Sequence, residues 1–104
     1  MKRRRTEASM KLALAVMEDP FGRFYGYDLS RRANVASGVL YPVIDRWLAD
    51  GWVTDEWEFP TEVTAKKPRR YYMLTDLGRR ELGSLAEAAL RAQQLSTDVG
   101  WAAT

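Results

Sequence analysis

A mainly helical α+β fold, with three helices first, a β-hairpin next and a long helix last, is what three features of this 104-residue chain predict. Ser37 to Gly51 carries apolar residues at helical spacing between a small polar start and a glycine stop. Residues 52–59, WVTDEWEF, alternate with a period of two and are answered by RYYML at 70–74. Between those two stretches lie ten residues of turn composition and net positive charge.

The elements follow in order. The first helix spans 6–18, with Thr6 as N-cap, Glu7 in the first turn, and Leu12, Ala13, Val16 and Met17 inward. Asp19-Pro20 stops it. PFGRFYG at 20–26 reads as a loop whose Phe21 and Phe24 close the core. A short second helix, 27–33, turns Leu29 and Ala33 inward. After a tight connection, Ser37 caps the third helix, whose stripe is Val39, Leu40, Val43, Ile44, Trp47 and Leu48. Pro42 crowds the carbonyl of Gly38, where a glycine lets the backbone adjust. Val53, Asp55, Trp57 and Phe59 share one face of a half-buried strand. Thr75 caps the last helix, which runs to about residue 97 and is followed by a frayed tail.

Two short helices in tight succession and then a hairpin make a winged helix-turn-helix. Residues 1–75 form a DNA-binding unit, and 76–104 a dimerisation helix and tail, within one compact domain overall. A recognition helix fits the DNA major groove, and a basic hairpin reaches the neighbouring backbone. The candidate DNA contacts are Ser37, Gly38, Tyr41, Pro42 and Arg46 on the third helix and Arg31 and Arg32 on the second. Lys66, Lys67 and Arg69 supply the wing. Lys2 to Arg5 reads equally well as a solvated terminus and as a DNA contact.

Composition narrows the function classes. There is no Cys and no His, which removes thiol and imidazole catalysis, disulfides and the usual zinc ligands. No carboxylate pair or phosphate loop stands in for them, so neither an enzyme nor a cofactor or metal protein is expected. The net charge is only +2, yet eight of the sixteen basic residues sit in two runs, 2–5 and 66–70. That pattern suits local contact with an anionic partner, here double-stranded DNA. The apolar run after the first basic cluster is too short and too interrupted for a signal peptide, and nothing nears the roughly 20 apolar residues of a membrane span. A cytoplasmic protein without a membrane partner is expected.

The last helix carries a broad stripe of small residues. Leu82, Leu85, Ala89 and Ala92 are the candidates for pairing with a symmetry mate, because DNA half-sites come in pairs. Trp101 either packs back on that helix or lines a ligand pocket between protomers. A second reading is a dimeric adaptor that binds another protein through Asp55, Glu56 and Glu58.

Four segments, taken together, resemble the PadR family of bacterial and phage transcription regulators. They are Gly26-Tyr27-Asp28-Leu29, Ser37-Gly38-Val39-Leu40-Tyr41-Pro42-Val43-Ile44, Leu48 to Val53, and Arg70 to Gly78. The resemblance implies a homodimeric winged helix-turn-helix, usually a repressor on a pseudo-palindromic operator, in some members relieved by a small aromatic effector. It places Ser37, Gly38, Tyr41 and Pro42 at the recognition-helix start and Lys66, Lys67 and Arg69 on the wing. Val39 stands where that family often has Thr or Ser, and Trp47 where Leu is usual.

Overall fold

The computed structural model describes residues 6–59 and 67–102, with side chains described through residue 95. Its elements are α1 (Glu7–Val16), β1 (Arg23–Tyr25), α2 (Gly26–Ala33), α3 (Ser37–Ala49), β2 (Val53–Glu58), β3 (Arg69–Leu74) and α4 (Asp76–Ala102). Helices α1 to α3 precede a hairpin, and α4 returns along α1. This is the architecture of a winged helix.

Thr6 begins α1 as expected. Its hydroxyl accepts from the Ser9 amide at 3.1 Å, and the Ser9 hydroxyl accepts from the Thr6 amide at 3.1 Å. Two otherwise orphaned amides are thereby satisfied reciprocally. The helix ends at Val16, so Met17 caps it and is half-buried, while Ala15 takes the expected inward place.

The largest departure is β1. Residues Arg23–Tyr25 were expected in a loop, but they pair antiparallel with β3, giving a three-stranded sheet of order β1-β3-β2. Three residues are too few to show a period, and the strand forms because β3 offers a free edge. Phe24 is inward and stacks on Tyr72 with 5.5 Å between centroids. Phe21 does not close the core: it is 72 % exposed, with the Arg79 guanidinium 4.4 Å over its ring.

Strand β2 is also less buried than its alternation suggests. Val53 pairs with Leu74 inside the core, but Trp57 is 54 % and Phe59 66 % exposed. The strand leaves the helical layer after its first residue, and among the described residues Trp57 and Phe59 are left exposed on the face they share with Asp55.

The core is a single cluster of Leu12, Val16, Phe24, Leu29, Leu40, Ile44, Trp47, Tyr72, Leu74, Leu82 and smaller neighbours. Leu82 and Ala86 of α4 belong to it, so the last helix is part of the same packed unit. The helix also runs to Ala102, past the frayed end expected near 97; no proline interrupts it.

Two of the sequence segments meet at a single junction. Gly51 ends α3 with φ of 75°, and the Trp52 amide bonds back to the Trp47 carbonyl at 2.8 Å. Thr75, arriving 24 residues later, donates its hydroxyl to the Gly51 carbonyl at 2.6 Å and its amide to the Trp52 carbonyl at 2.9 Å. The same hydroxyl accepts from the Gly78 amide at 3.0 Å and so caps α4. A Cβ at Gly78 would overlap the Trp52 carbonyl oxygen, which explains the glycine three residues into a helix.

Candidate nucleic-acid interface

Helix α3 buries Leu40, Ile44 and Trp47 and half-buries Val43 and Leu48. At 3.6 residues per turn, the opposite arc runs from Tyr41 through Asp45, Gly38, Ala49, Pro42 and Arg46 to Val39, all exposed. Val39, 47 % exposed, therefore belongs to this arc and not to the apolar stripe in which the sequence placed it. The middle of the arc is almost bare: Gly38, Pro42 and Ala49 have little or no side chain to hold a partner away.

Ser37 is the first helical residue and not the cap. Ala36 takes the N-cap position with extended backbone and no side-chain hydrogen bond. The serine hydroxyl, exposed, is left for other use.

Tyr41 stands at the crossing of α3 and α2. Its ring carbons Cε1 and Cζ would lie 2.9 Å from a Cβ at Gly26, so glycine opens α2 to let the tyrosine pass. The ring keeps 43 % of its surface exposed. In the sheet, Arg70 donates from Nε at 2.9 Å and from Nη2 at 2.5 Å to the Asp55 carboxylate and lies over the Tyr72 ring. That bond holds the guanidinium pKa above its ordinary value. Tyr72, buried under the same group, has its hydroxyl pKa raised by burial, with Arg70 opposing.

The candidate arginines of α2 part ways. Arg31 is exposed and reaches the Tyr27 hydroxyl at 3.4 Å. Arg32 donates to the Ala15 carbonyl at 3.1 Å, so its guanidinium closes the end of α1. On the wing, Lys67 is exposed, while Lys66 lies outside the described residues. Arg69 turns back toward the helices: its guanidinium sits 3.9 Å over the Tyr25 ring and 3.9 Å from the Asp28 carboxylate.

A side-chain brace spans the outer face of the sheet. Glu58 accepts from Tyr25 and, at 3.1 Å, from Arg23, whose guanidinium lies 4.6 Å over Tyr71. The hydrogen bond to Glu58 is the main reason the Tyr25 hydroxyl pKa is raised. Side chains of β1 thus reach across β3 to hold the far end of β2. Only the pairing of β1 makes this contact, which is why sequence spacing did not show it.

A cavity of about 620 Å³ opens along the same arc of α3, from Gly38 and Pro42 to Val43, between it, the start of α1 and α4. Val39, Pro42, Val43 and Arg46 line one side; Trp52, Glu81 and Leu85 line the other. Of the candidate dimer residues, Leu82 is 0 % and Ala89 3 % exposed within the single chain. They have almost no surface left to give a partner, Leu85 is half-buried, and Ala92 is exposed. The Trp101 side chain lies outside the described residues. Among the described residues, no group of three His, Cys, Asp or Glu is placed to hold a metal, and no helix is long and apolar enough to cross a membrane.

The family model of the PadR-like transcriptional regulators matches residues 14–84. The chain belongs to that family. Solved PadR-like structures share its fold. A PadR-like regulator from Bacillus cereus superposes with a TM-score of 0.63 at 19 % identity, over 88 % of each chain. A PadR family regulator from Clostridium difficile gives 0.66 at 14 %, over 90 % of this chain and 98 % of that one. Bacillus subtilis PadR, solved in complex with operator DNA, gives 0.59 at 20 %, over 85 % of this chain and 59 % of that one. No curated protein matches the sequence. The family match takes in α2, α3, the wing and the junction at Thr75, so the four segments that carried the resemblance all lie in it.

Proposed function

We propose that this PadR-like chain is a sequence-specific DNA-binding repressor that acts as a homodimer on pseudo-palindromic sites in the bacterial cytoplasm. The observation that carries the reading is the bare arc of α3, with Gly38 and Pro42 at its centre and Tyr41 and Arg46 at its edges. A helix so stripped along its exposed side suits close approach to a groove floor. Ser37, Tyr41 and Arg46 supply contacts to base edges and phosphates, and the wing lysines neutralise backbone charge. The operator complex of the Bacillus subtilis relative supports the reading. The cavity beside α3, with Trp47 of α3 and Trp52 of the following turn on its walls, is where an aromatic effector would bind and relieve repression.

The adaptor reading loses its main support. Two of the three carboxylates it relied on are paired within the chain, Asp55 with Arg70 and Glu58 with Arg23, and Glu58 also accepts from Tyr25. Glu56 alone remains.

The test is selection from random duplex oligonucleotides with the purified protein, followed by titration of the enriched site. Tyr41→Ala is expected to weaken that site at least about tenfold, the cost of one good base or phosphate contact. Replacing both Lys66 and Lys67 by Ala weakens all DNA and lowers the slope of log affinity against log salt by about 2. If both variants bind like the parent, the protein is not a DNA-binding regulator of this kind.

A further inference from the structure

Gly38 has no conformational reason to be glycine. Among the described glycines only Gly51 has a positive φ, and a Cβ at Gly38 would meet nothing within 4 Å. Gly26 and Gly78, by contrast, are each forced by a neighbour. A glycine inside a helix costs stability that an alanine would return. Four residues on, Pro42 is a second local fault, since it lies inside α3 and has no amide hydrogen. The two faults are one feature. The carbonyl that the residue-42 amide would have bonded is the Gly38 carbonyl. It is left without its helical donor, the proline ring crowds it away from the axis, and glycine puts no side chain over it.

The pair stands at the middle of the exposed arc, one turn apart on the same line. We infer that the Gly38 carbonyl is a base-reading acceptor: it takes a hydrogen bond from the exocyclic amino group of an adenine or cytosine in the major groove. In that groove, the donors are adenine N6 and cytosine N4, while guanine and thymine edges offer only acceptors and a methyl group. A lone acceptor therefore separates A or C from G or T at one position. Gly38 allows the approach and Pro42 keeps the acceptor free. The inference rests on the DNA-binding reading and assigns within it what the glycine and the proline do.

Pro42→Ala gives the carbonyl back its helical donor, so stability and recognition should move in opposite directions. The melting temperature is expected to rise by about 4 °C or more, which also shows that the variant is folded. In random-oligonucleotide selection, the parent should show one position in each half-site preferring A or C over G or T by about tenfold, and Pro42→Ala should lose that preference while keeping the others. Gly38→Ala keeps the carbonyl but adds a methyl group, and should weaken the whole site about tenfold with the base order unchanged. A site carrying purine or 2-pyrimidinone in place of the selected base lacks the amino group; it should cost the parent the same factor and Pro42→Ala nothing. If Pro42→Ala keeps every base preference of the parent, or the analogue costs both proteins equally, the inference is overturned and the DNA-binding reading stands. If the parent enriches no sequence at all, that reading fails and the inference falls with it.

Discussion

Arg32 and Arg69 have the composition of phosphate contacts and the surroundings of structural braces. Arg32 serves the end of α1, and Arg69 bridges Tyr25 and Asp28. The distinction can be measured. A residue that neutralises a phosphate changes the salt dependence of binding by nearly one unit of slope; a residue that only orients the wing changes affinity and leaves the slope alone. Arg69→Ala should therefore weaken DNA binding with an unaltered slope, and Lys67→Ala should lower the slope by about 0.9, both read from titrations across 50 to 200 mM salt. Equal slope losses would make Arg69 a phosphate contact after all. At Tyr72 the buried, neutral hydroxyl ionises above its ordinary value near 10.0. The folded state thus holds its proton longer than the unfolded state does, so the contribution is complete below about pH 10 and is lost as pH rises through the folded pKa. Tyr72→Phe should flatten the alkaline limb of the stability-versus-pH curve measured by urea unfolding.

At the scale of elements, the long and strongly patterned pieces were legible and the short or half-covered ones were not. Helices α1 and α3 announced themselves through period, cap and stop. The errors are local and physical: Ser37 is one residue inside the helix because Ala36 already has the extended backbone of a cap. Strand β1 was invisible because its existence depends on an edge contributed by residues 69–74. The alternation of β2 was real, but alternation says which residues share a face and not whether anything covers it. Thr75 begins α4 as its sequence position suggests, while its bonds to Gly51 and Trp52 join residues too far apart in the chain for spacing to show. Thr75→Ala removes a cap and the tie to the α3 stop together, at a cost of about 1–2 kcal/mol. The expected result is a melting temperature lower by roughly 4–8 °C or more for a domain of this size. A change within 1 °C would show that the tie contributes little.

For the whole molecule, the candidate site was legible as a set of residue types but not as a surface. Sequence placed Gly38, Tyr41, Pro42 and Arg46 together, and the structure spreads them in that relation over one arc. It could not foresee that Arg70 is committed to Asp55 or that Leu82 and Ala89 are consumed by the chain's own packing. If the protein dimerises through α4, the contact must use what remains exposed on it, including Leu90, 54 % exposed. Leu90→Glu should then shift the sedimentation mass toward that of one 11.9 kDa chain and weaken binding to a two-half-site operator more than to a single half-site. A variant that keeps the mass of the parent would place the contact elsewhere.

The tie between Thr75 and the Gly51–Trp52 turn has a consequence for how such a protein diversifies. It closes the chain on itself just where the hairpin leaves the helical layer and just where it returns. Val53, Tyr72 and Leu74 between these points belong to the core, and the hairpin beyond them starts and returns with its two ends already held together. Lengthening a loop with fixed ends costs only about 0.6 kcal/mol for each doubling of its flexible part. The wing is accordingly a replaceable cassette: its tip can gain, lose or exchange residues while the helices that hold α3 in position remain untouched.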